Sequence, residues 1–323
     1  MTGWLVTFIR IVVVLIAVIG RAWAVYRKSS NKKHTAFIGL IVAALLAAIG
    51  LGGISYYVQY ATPYDDRYEE ASADPKETIE LGDGDKYADH NRGRVYSDLK
   101  RYDEALDDYD KAIELDDEFA IAYYNRGFLY CDLNRYGEAL DDYNKALELG
   151  YEIALAYSNR GLAYFDLKRY LKAFSDYDRA IELDDEVAIP YNNRGFLYFD
   201  LERYDEALAD YDKAIELDDE FAIAYYNRGF LYCDLNRYGE ALDDYNKALE
   251  LGYEIALAYS NRGLAYFDLK RYLKAFSDYD RAIELDDEFA MAYYNRSLTF
   301  DELGKPERAI ADRRKYEELT GNR

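Results

Sequence analysis

The sequence predicts an all-α protein, an α-solenoid of seven 34-residue helix-turn-helix repeats preceded by two transmembrane helices. The tripeptide Asn-Arg-Gly recurs every 34 residues over most of the chain, which is typical of a repeat architecture. Residues 36–60 carry no charged side chain, which is typical of a membrane span. Only 4 of the 323 residues are Pro, so few helix breakers interrupt the pattern.

Residues 1–61 are predicted to form an N-terminal membrane hairpin. Residues 36–60 are long enough, at ~1.5 Å per residue, to cross a hydrocarbon core of ~30 Å. Residues 4–20 form another apolar run, and Arg10 within it lies near one end, where its side chain can reach the headgroups. We predict that this run is a second span. The alternative is a cleaved signal peptide, because residues 22–24 have the small-x-small form of a cleavage site.

The loop at residues 21–35 predicts the orientation of the hairpin. It holds five basic side chains and no acidic one, and short basic loops stay on the cytoplasmic side. Both ends of the hairpin then point away from the cytoplasm. We therefore expect a bacterial inner or plasma membrane protein whose repeat domain is extracytoplasmic. Cys131 and Cys233 lie three repeats apart, too far for a disulfide, and leave the redox compartment open.

The charge of the chain is strongly segregated. The net charge is −22, and residues 1–35 carry six basic side chains without an acid, so residues 62–323 carry a net charge of −28. Such a domain repels phosphate backbones, so we expect no nucleic-acid partner. A basic peptide or basic protein surface would be attracted, and an acidic partner is not expected.

Residues 86–323 contain the repeats, which share a pattern of small and aromatic residues. Gly at repeat position 8 and Ala at positions 20 and 27 allow two helices to approach closely. Tyr at positions 4, 11, 17 and 24 accounts for 24 of the 37 Tyr residues and is predicted to fill the core around that contact. Residues 108–186 and 210–288 are identical, so agreement between those repeats reflects copying. The repeats begin at residues 86, 120, 154, 188, 222, 256 and 290.

This pattern resembles the tetratricopeptide repeat family, whose 34-residue unit is a pair of antiparallel helices. The residues of repeat two that carry the resemblance are Tyr123, Gly127, Tyr130, Ala139, Tyr143 and Ala146. The Pro that is usual at position 32 is absent, so the turn between repeats lacks its rigid residue, and Gly150 and Gly252 are candidate helix caps instead. The resemblance implies a scaffold that binds another protein or an extended peptide.

Residues 62–85 are predicted to be an acidic linker that contains a half-repeat capping helix at residues 67–81. Residues 67–71 match residues 101–105, one repeat length later. Pro75 replaces the aromatic residue of the second helix and is expected to kink it. A terminal helix of this kind caps a solenoid.

In the tetratricopeptide family the first helix of each repeat lines the concave face, so the resemblance implies a groove there. Position 6 is Asn in all seven repeats. An amide side chain can both donate and accept hydrogen bonds. Repeated every 34 residues, these Asn side chains form a ladder that would bind the backbone of an extended peptide. The ladder resembles a row of Asn in the repeat region of O-linked N-acetylglucosamine transferases. The alternatives are that these Asn only cap or are solvated, and that about half of the apolar residues pack against the next repeat. The predicted groove residues are Asn125, Asn159, Asn193, Asn227, Asn261, Asn295, Tyr124, Tyr226, Phe128, Phe165, Phe196, Phe199, Phe230 and Phe267.

Position 7 is Arg and position 23 is Asp in every repeat, on levels that face each other in an antiparallel hairpin. We predict a structural Arg–Asp ladder. The alternative is that the Arg side chains are offered to an acidic ligand. The predicted ladder comprises Arg126, Arg160, Arg194, Arg228, Arg262, Asp142, Asp176, Asp210, Asp244 and Asp278.

The sequence contains only two His residues and lacks metalloprotease, nucleophile-elbow and phosphate-loop motifs. We therefore expect no enzymatic activity, cofactor or metal site. The predicted function is that of a membrane-anchored scaffold or adaptor that binds an extended peptide in an Asn-lined apolar groove. The alternatives are a structural component of an envelope assembly that binds through the outer solenoid surface, and a non-catalytic subunit of an envelope enzyme.

Overall fold

The computed structural model describes residues 84–321, which lie in the second of two units, Met1–Glu69 and Glu70–Arg323. The predicted spans at residues 4–20 and 36–60 and the predicted helix at residues 67–81 fall outside the described residues. Within residues 84–321, no helix is both long and apolar enough to cross a membrane.

Residues 84–321 form fourteen α-helices and no strand. In chain order they are α1 (Lys86–Asp98), α2 (Tyr102–Leu115), α3 (Ala120–Asp132), α4 (Tyr136–Glu148), α5 (Ala154–Asp166), α6 (Tyr170–Leu183), α7 (Ala188–Asp200), α8 (Tyr204–Leu217), α9 (Ala222–Asp234), α10 (Tyr238–Glu250), α11 (Ala256–Asp268), α12 (Tyr272–Leu285), α13 (Ala290–Glu302) and α14 (Pro306–Thr320). Odd-numbered helices are the first helices of the repeats, and even-numbered helices are the second.

Each first helix packs against its own second helix and against the second helix of the preceding repeat. Successive first helices also contact one another, whereas within the described residues no two successive second helices do. The first helices therefore form the inner, concave side of the stack and the second helices its outer side. This is the predicted all-α solenoid, and that part of the prediction is confirmed.

The close approach of the two helices in a repeat depends on Gly at position 8. A Cβ atom added to Gly161 would lie 2.7 Å from the Cε1 atom of Tyr177. Tyr177 is only 1% exposed, and Ala173 and Ala180 beside it are fully buried. The Tyr at position 24 is buried in all of repeats one to six, but at positions 4, 11 and 17 most Tyr are only half-buried. The prediction that all four Tyr positions fill the core is therefore correct for position 24 and too broad for the rest.

A Gly161→Ala substitution is expected to lower the free energy of unfolding by about 1–3 kcal/mol, because the added methyl group overlaps the Tyr177 ring. The helix-propensity gain of roughly 1 kcal/mol offsets only part of that loss. Gly137 in α4 is the matched control, since a Cβ there would meet nothing within 4 Å. Urea unfolding of the full chain, followed by circular dichroism, should show Gly137→Ala unchanged or stabilised. An equal change in the free energy of unfolding for the two variants would contradict the close packing of Gly161 against Tyr177.

The turns between repeats replace the missing Pro in two ways. After α6, the side chain of Asp184 accepts a hydrogen bond of 3.1 Å from the backbone N–H of Glu186, a local turn typical of Asp. Asp116, Asp218 and Asp286 make the same bond two residues ahead. After α4, Gly150 takes a left-handed conformation (φ 89°), and its N–H bonds to the carbonyl of Leu147 at 3.0 Å. In both cases a backbone N–H of the turn gains a hydrogen-bond acceptor, a side-chain carboxylate in the first and a backbone carbonyl in the second.

Candidate functional site

The inner face carries a continuous line of aromatic side chains across repeats three to five. Ring centroids are 5.4 Å apart for Phe165 and Phe196, 6.4 Å for Phe196 and Phe199, and 5.4 Å for Phe199 and Phe230. We call these four residues the aromatic row. Phe196 is 37% exposed, and Phe128, one repeat before the row, is 46% exposed. The row is therefore an apolar surface that remains open to solvent along the groove.

Position 12 is Phe in the middle of the groove and Cys in repeats two and five. The hydroxyl of Tyr143 donates to the Sγ atom of Cys131 over 3.7 Å. Burial raises the pKa of the Cys131 and Cys233 thiols to about 11, so both are protonated at neutral pH. They are free thiols that act as small apolar residues beside the row. Phe267 packs its ring against Tyr272, with centroids 5.4 Å apart.

The Asn side chains at position 6 connect successive repeats. In repeats two to six, the Nδ2 atom donates to the position 5 side chain of the preceding repeat. The bonds run from Asn159 to Tyr124 (2.9 Å), from Asn193 to Ser158 (3.2 Å), from Asn227 to Asn192 (2.9 Å), from Asn261 to Tyr226 (2.8 Å), and from Asn125 to His90 Nε2 (2.7 Å).

These bonds use the Nδ2 donor of each amide and leave its Oδ1 acceptor. Within residues 84–321, the Oδ1 atoms of Asn159, Asn227 and Asn261 make no hydrogen bond, so the acceptor half is available to a ligand. The Asn295 side chain makes no hydrogen bond to any described residue. Tyr124 and Tyr226 each pack at a tilted angle against two Tyr rings of their own repeat. Tyr226 is buried and Tyr124 is half-buried, so neither ring is fully open to the groove.

The Arg side chains at position 7 are held by Asp. In repeat three the Nε and Nη2 atoms of Arg160 donate to the two carboxylate oxygens of Asp176 at 2.7 and 2.6 Å. Bidentate bonds of 2.6–2.8 Å also join Arg92 to Asp108, Arg126 to Asp142, Arg194 to Asp210, Arg228 to Asp244, Arg262 to Asp278 and Arg296 to Asp312.

The third nitrogen of the same guanidinium reaches the second helix of the preceding repeat. Arg160 Nη1 donates to Asn144 Oδ1 at 2.8 Å. The corresponding partners are Asp110 for Arg126, Asp178 for Arg194, Asp212 for Arg228, Asn246 for Arg262 and Asp280 for Arg296. Hydrogen bonding to Asp210 raises the pKa of the Arg194 guanidinium against the effect of burial. In repeats two to seven the Arg thus links three helices and is not presented to the groove.

The comparisons with known proteins agree with this geometry. Tetratricopeptide repeat family models match residues 120–149, 154–186, 186–251 and 256–289, and a TPR repeat model matches residues 93–132. Together these matches cover more than half of the chain. The chain belongs to the tetratricopeptide repeat family.

Solved structures show the same fold at low sequence identity. The APC/C hetero-tetramer Cut9-Hcn1 is 16% identical with a TM-score of 0.66, over 79% of this chain and 50% of that one. Pseudomonas aeruginosa pilF is 20% identical with a TM-score of 0.58, over 64% and 94%. A tetratricopeptide repeat protein from Parabacteroides merdae is 22% identical with a TM-score of 0.54, over 77% and 94%. This chain therefore spans half the length of its Cut9-Hcn1 match. The comparison with curated proteins gave no match.

His90, in the first repeat of the tetratricopeptide array, is a buried side chain that binds a proton less readily in the folded chain than in the unfolded chain. Its side chain is completely buried against the rings of Tyr109 and Phe119. Burial, with a smaller contribution from the charge of Arg94, lowers the pKa of His90 to about 4. The unfolded chain therefore takes up a proton at His90 before the folded chain does as the pH falls.

We expect a His90→Asn variant to resist mild acid better than the wild type. The wild type should lose up to about 3 kcal/mol of stability as the pH falls from about 6.5 to 4, because the unfolded state binds the proton first. Asn192 holds the equivalent position in repeat four and accepts the same hydrogen bond at 2.9 Å, so Asn preserves the link to Asn125. The measurement is the Tm difference between variant and wild type from pH 7 to pH 4. A difference that does not change with pH would contradict the assignment.

Proposed function

We propose that this chain is a non-catalytic scaffold that holds an extended segment of another protein in the groove formed by its first helices. The aromatic row carries the proposal, because four Phe side chains from three successive repeats touch one another and yet remain partly exposed. A contiguous apolar surface of this kind is typical of an interaction site.

The polar atoms of the groove support an extended rather than a helical ligand. The free Oδ1 acceptors of Asn159, Asn227 and Asn261 recur along the inner face, since each occupies the same repeat position. An extended backbone presents N–H donors at regular intervals, whereas a helix has already used most of its own. Hydrogen bonds from the bound backbone to the Asn carbonyls would then hold the segment while the Phe side chains contact its apolar residues.

Site-specific photocrosslinking in the full chain tests this proposal. A photoreactive residue at Phe128 or Phe196 is expected to form an adduct with the partner, because both side chains are exposed in the groove. The matched control is Leu171, which is 86% exposed on the second helix α6. Adducts from Leu171 but not from the two groove positions would contradict groove binding.

A second candidate function is assembly through the outer surface. Leu171 and Leu273 occupy the same position of repeats three and six on second helices and are 86% and 71% exposed. A pair of open Leu side chains on the outer side favours a structural role in an assembly. The Leu171 crosslink distinguishes this role from the groove-binding scaffold.

We further propose that residues 1–61 anchor the scaffold in a bacterial inner or plasma membrane, with the repeats on the extracytoplasmic side. The basic loop at residues 21–35 supports this orientation. Fusions of alkaline phosphatase and of a fluorescent protein after Arg323 test it. Active phosphatase together with a dark fluorescent fusion is expected. A bright fluorescent fusion would place the groove, and the search for its partner, in the cytoplasm.

A further inference from the structure

Every first helix in the described part of the chain ends in an acidic residue that is exposed. We call these residues the acidic row. Its members are Asp98, Asp132, Asp166, Asp200, Asp234, Asp268 and Glu302. Sequence reasoning missed the row because it treated these acids as part of the general negative charge, although their recurrence at repeat position 13 was visible.

The acidic row runs beside the apolar side chains of the groove. Residues four apart on a helix lie one above the other on the same face. Asp200 follows Phe196 by four residues, and Asp132 stands in the same relation to Phe128. Repeats two to seven therefore each present an apolar side chain and, one turn further along the first helix, a carboxylate, whereas repeat one has Arg94 in place of the apolar residue.

The position of these acids is unfavourable for the free protein. The C-terminal end of a helix has a partial negative charge and favours Lys or Arg, yet the last turns of these first helices contain no basic residue. Within residues 84–321, none of the acids in the row forms an ion pair with Lys or Arg. Partial desolvation by neighbouring side chains also raises the pKa of Asp132, Asp166 and Asp268. From repeat two onward, the chain thus leaves a line of carboxylates along the groove that no Lys or Arg of the described residues pairs with.

We propose that the segment held by the groove is basic, with Lys or Arg at about every third residue and apolar residues between them. This inference rests on the proposed function. Packed helices are about 8–10 Å apart, and an extended chain advances about 3.3 Å per residue, so each repeat spans about three residues of ligand. A polyproline II segment has three residues per turn and would present every third side chain to the acidic row.

Peptide binding to the full chain in detergent tests the proposal. The probe is a fluorescent peptide of five Lys-Pro-Leu triplets, since Pro prevents helix formation and favours the extended form. Two further peptides have Gln or Glu in place of every Lys. We expect the Lys peptide to bind about tenfold or more tightly than the Gln peptide, with affinity that falls as salt rises. We expect no binding of the Glu peptide. Gln and Lys peptides of equal affinity would overturn the inference but leave groove binding intact.

Two charge variants separate the acidic row from the general charge of the domain. The groove variant replaces Asp132, Asp166, Asp200, Asp234 and Asp268 with Asn. The matched control removes the same number of charges from exposed positions on second helices by replacing Glu148, Glu182, Glu216, Glu250 and Glu284 with Gln. The groove variant is expected to lose about tenfold or more in affinity for the Lys peptide, and the control less than about twofold.

The outcomes distinguish failure of the inference from failure of the proposed function. Equal losses in the groove variant and the control would show attraction to the whole acidic domain and overturn the inference alone. Failure of the Lys peptide to bind at any salt concentration would also overturn the inference, while the crosslink at Phe196 would still test the scaffold. Wild-type affinity of a Phe196→Ala, Phe199→Ala variant for the Lys peptide would contradict both.

Discussion

Replacing Arg160 with Ala is expected to lower the free energy of unfolding by roughly 3 kcal/mol. Both oxygens of Asp176 accept hydrogen bonds from this guanidinium at 2.7 and 2.6 Å, and Asp176 is only 4% exposed. The substitution leaves a buried carboxylate without its counter-charge, which costs more than a lost surface pair. It also removes the bond to Asn144, so repeats two and three lose a connection. Urea unfolding of the full chain, together with hydrogen exchange in α5 and α6, measures both effects.

The control for this prediction is Arg179→Ala in α6. Arg179 pairs with Glu182 at 3.1 Å, but these side chains are 45% and 66% exposed, so its loss is expected to change stability little. Replacing Arg160 with Met and Asp176 with Leu together should recover part of the loss, because no unpaired charge is then buried. If the Arg160→Ala variant unfolds at the same urea concentration as the Arg179→Ala variant, the buried Arg160–Asp176 pair does not stabilise the repeat.

The all-α solenoid could be predicted because the sequence presents the same structural unit seven times. A single Gly-Tyr contact such as Gly161 with Tyr177 would be weak evidence, but its recurrence at a fixed spacing of 16 residues specifies one helix pair. The burial of the individual Tyr positions is less predictable. The Tyr at position 24 packs against the Gly of the partner helix and is buried. The Tyr rings at positions 4 and 11 pack against an Arg side chain instead, as Tyr157 and Tyr164 do against Arg160.

Contacts between repeats could not be predicted in the same way. The facing levels of Arg160 and Asp176 follow from the geometry of one hairpin, but the bond from Arg160 to Asn144 depends on how one repeat is rotated on the next. The same rotation brings Asn159 against Tyr124. The 34-residue period shows that neighbouring repeats have the same structure, but it does not show how one repeat is rotated relative to the next. The Asn ladder therefore has one interaction, through Nδ2, that the sequence pattern did not indicate.

Removing two rings of the aromatic row is expected to abolish partner binding while the solenoid stays folded. A variant with Phe196→Ala and Phe199→Ala should weaken the affinity for the protein crosslinked at Phe196 by roughly 4 kcal/mol, or about a thousandfold, because central aromatic residues commonly contribute about 2 kcal/mol each. Phe196 is 37% exposed, so its loss should leave little internal cavity. Phe199 contacts Tyr204 and Phe230 and is expected to cost some stability as well.

The matched control is a variant with Leu171→Ala and Leu273→Ala, which removes two exposed apolar side chains from second helices. It is expected to bind the same partner with wild-type affinity. Circular dichroism melting of both variants separates a binding loss from unfolding, and the single Phe196→Ala variant gives a second reading if the double variant is unstable. Because the row spans three repeats, the single variant should keep part of the affinity. If the Leu variant loses binding and the Phe variant keeps it, the partner lies on the outer surface and the groove is not the site.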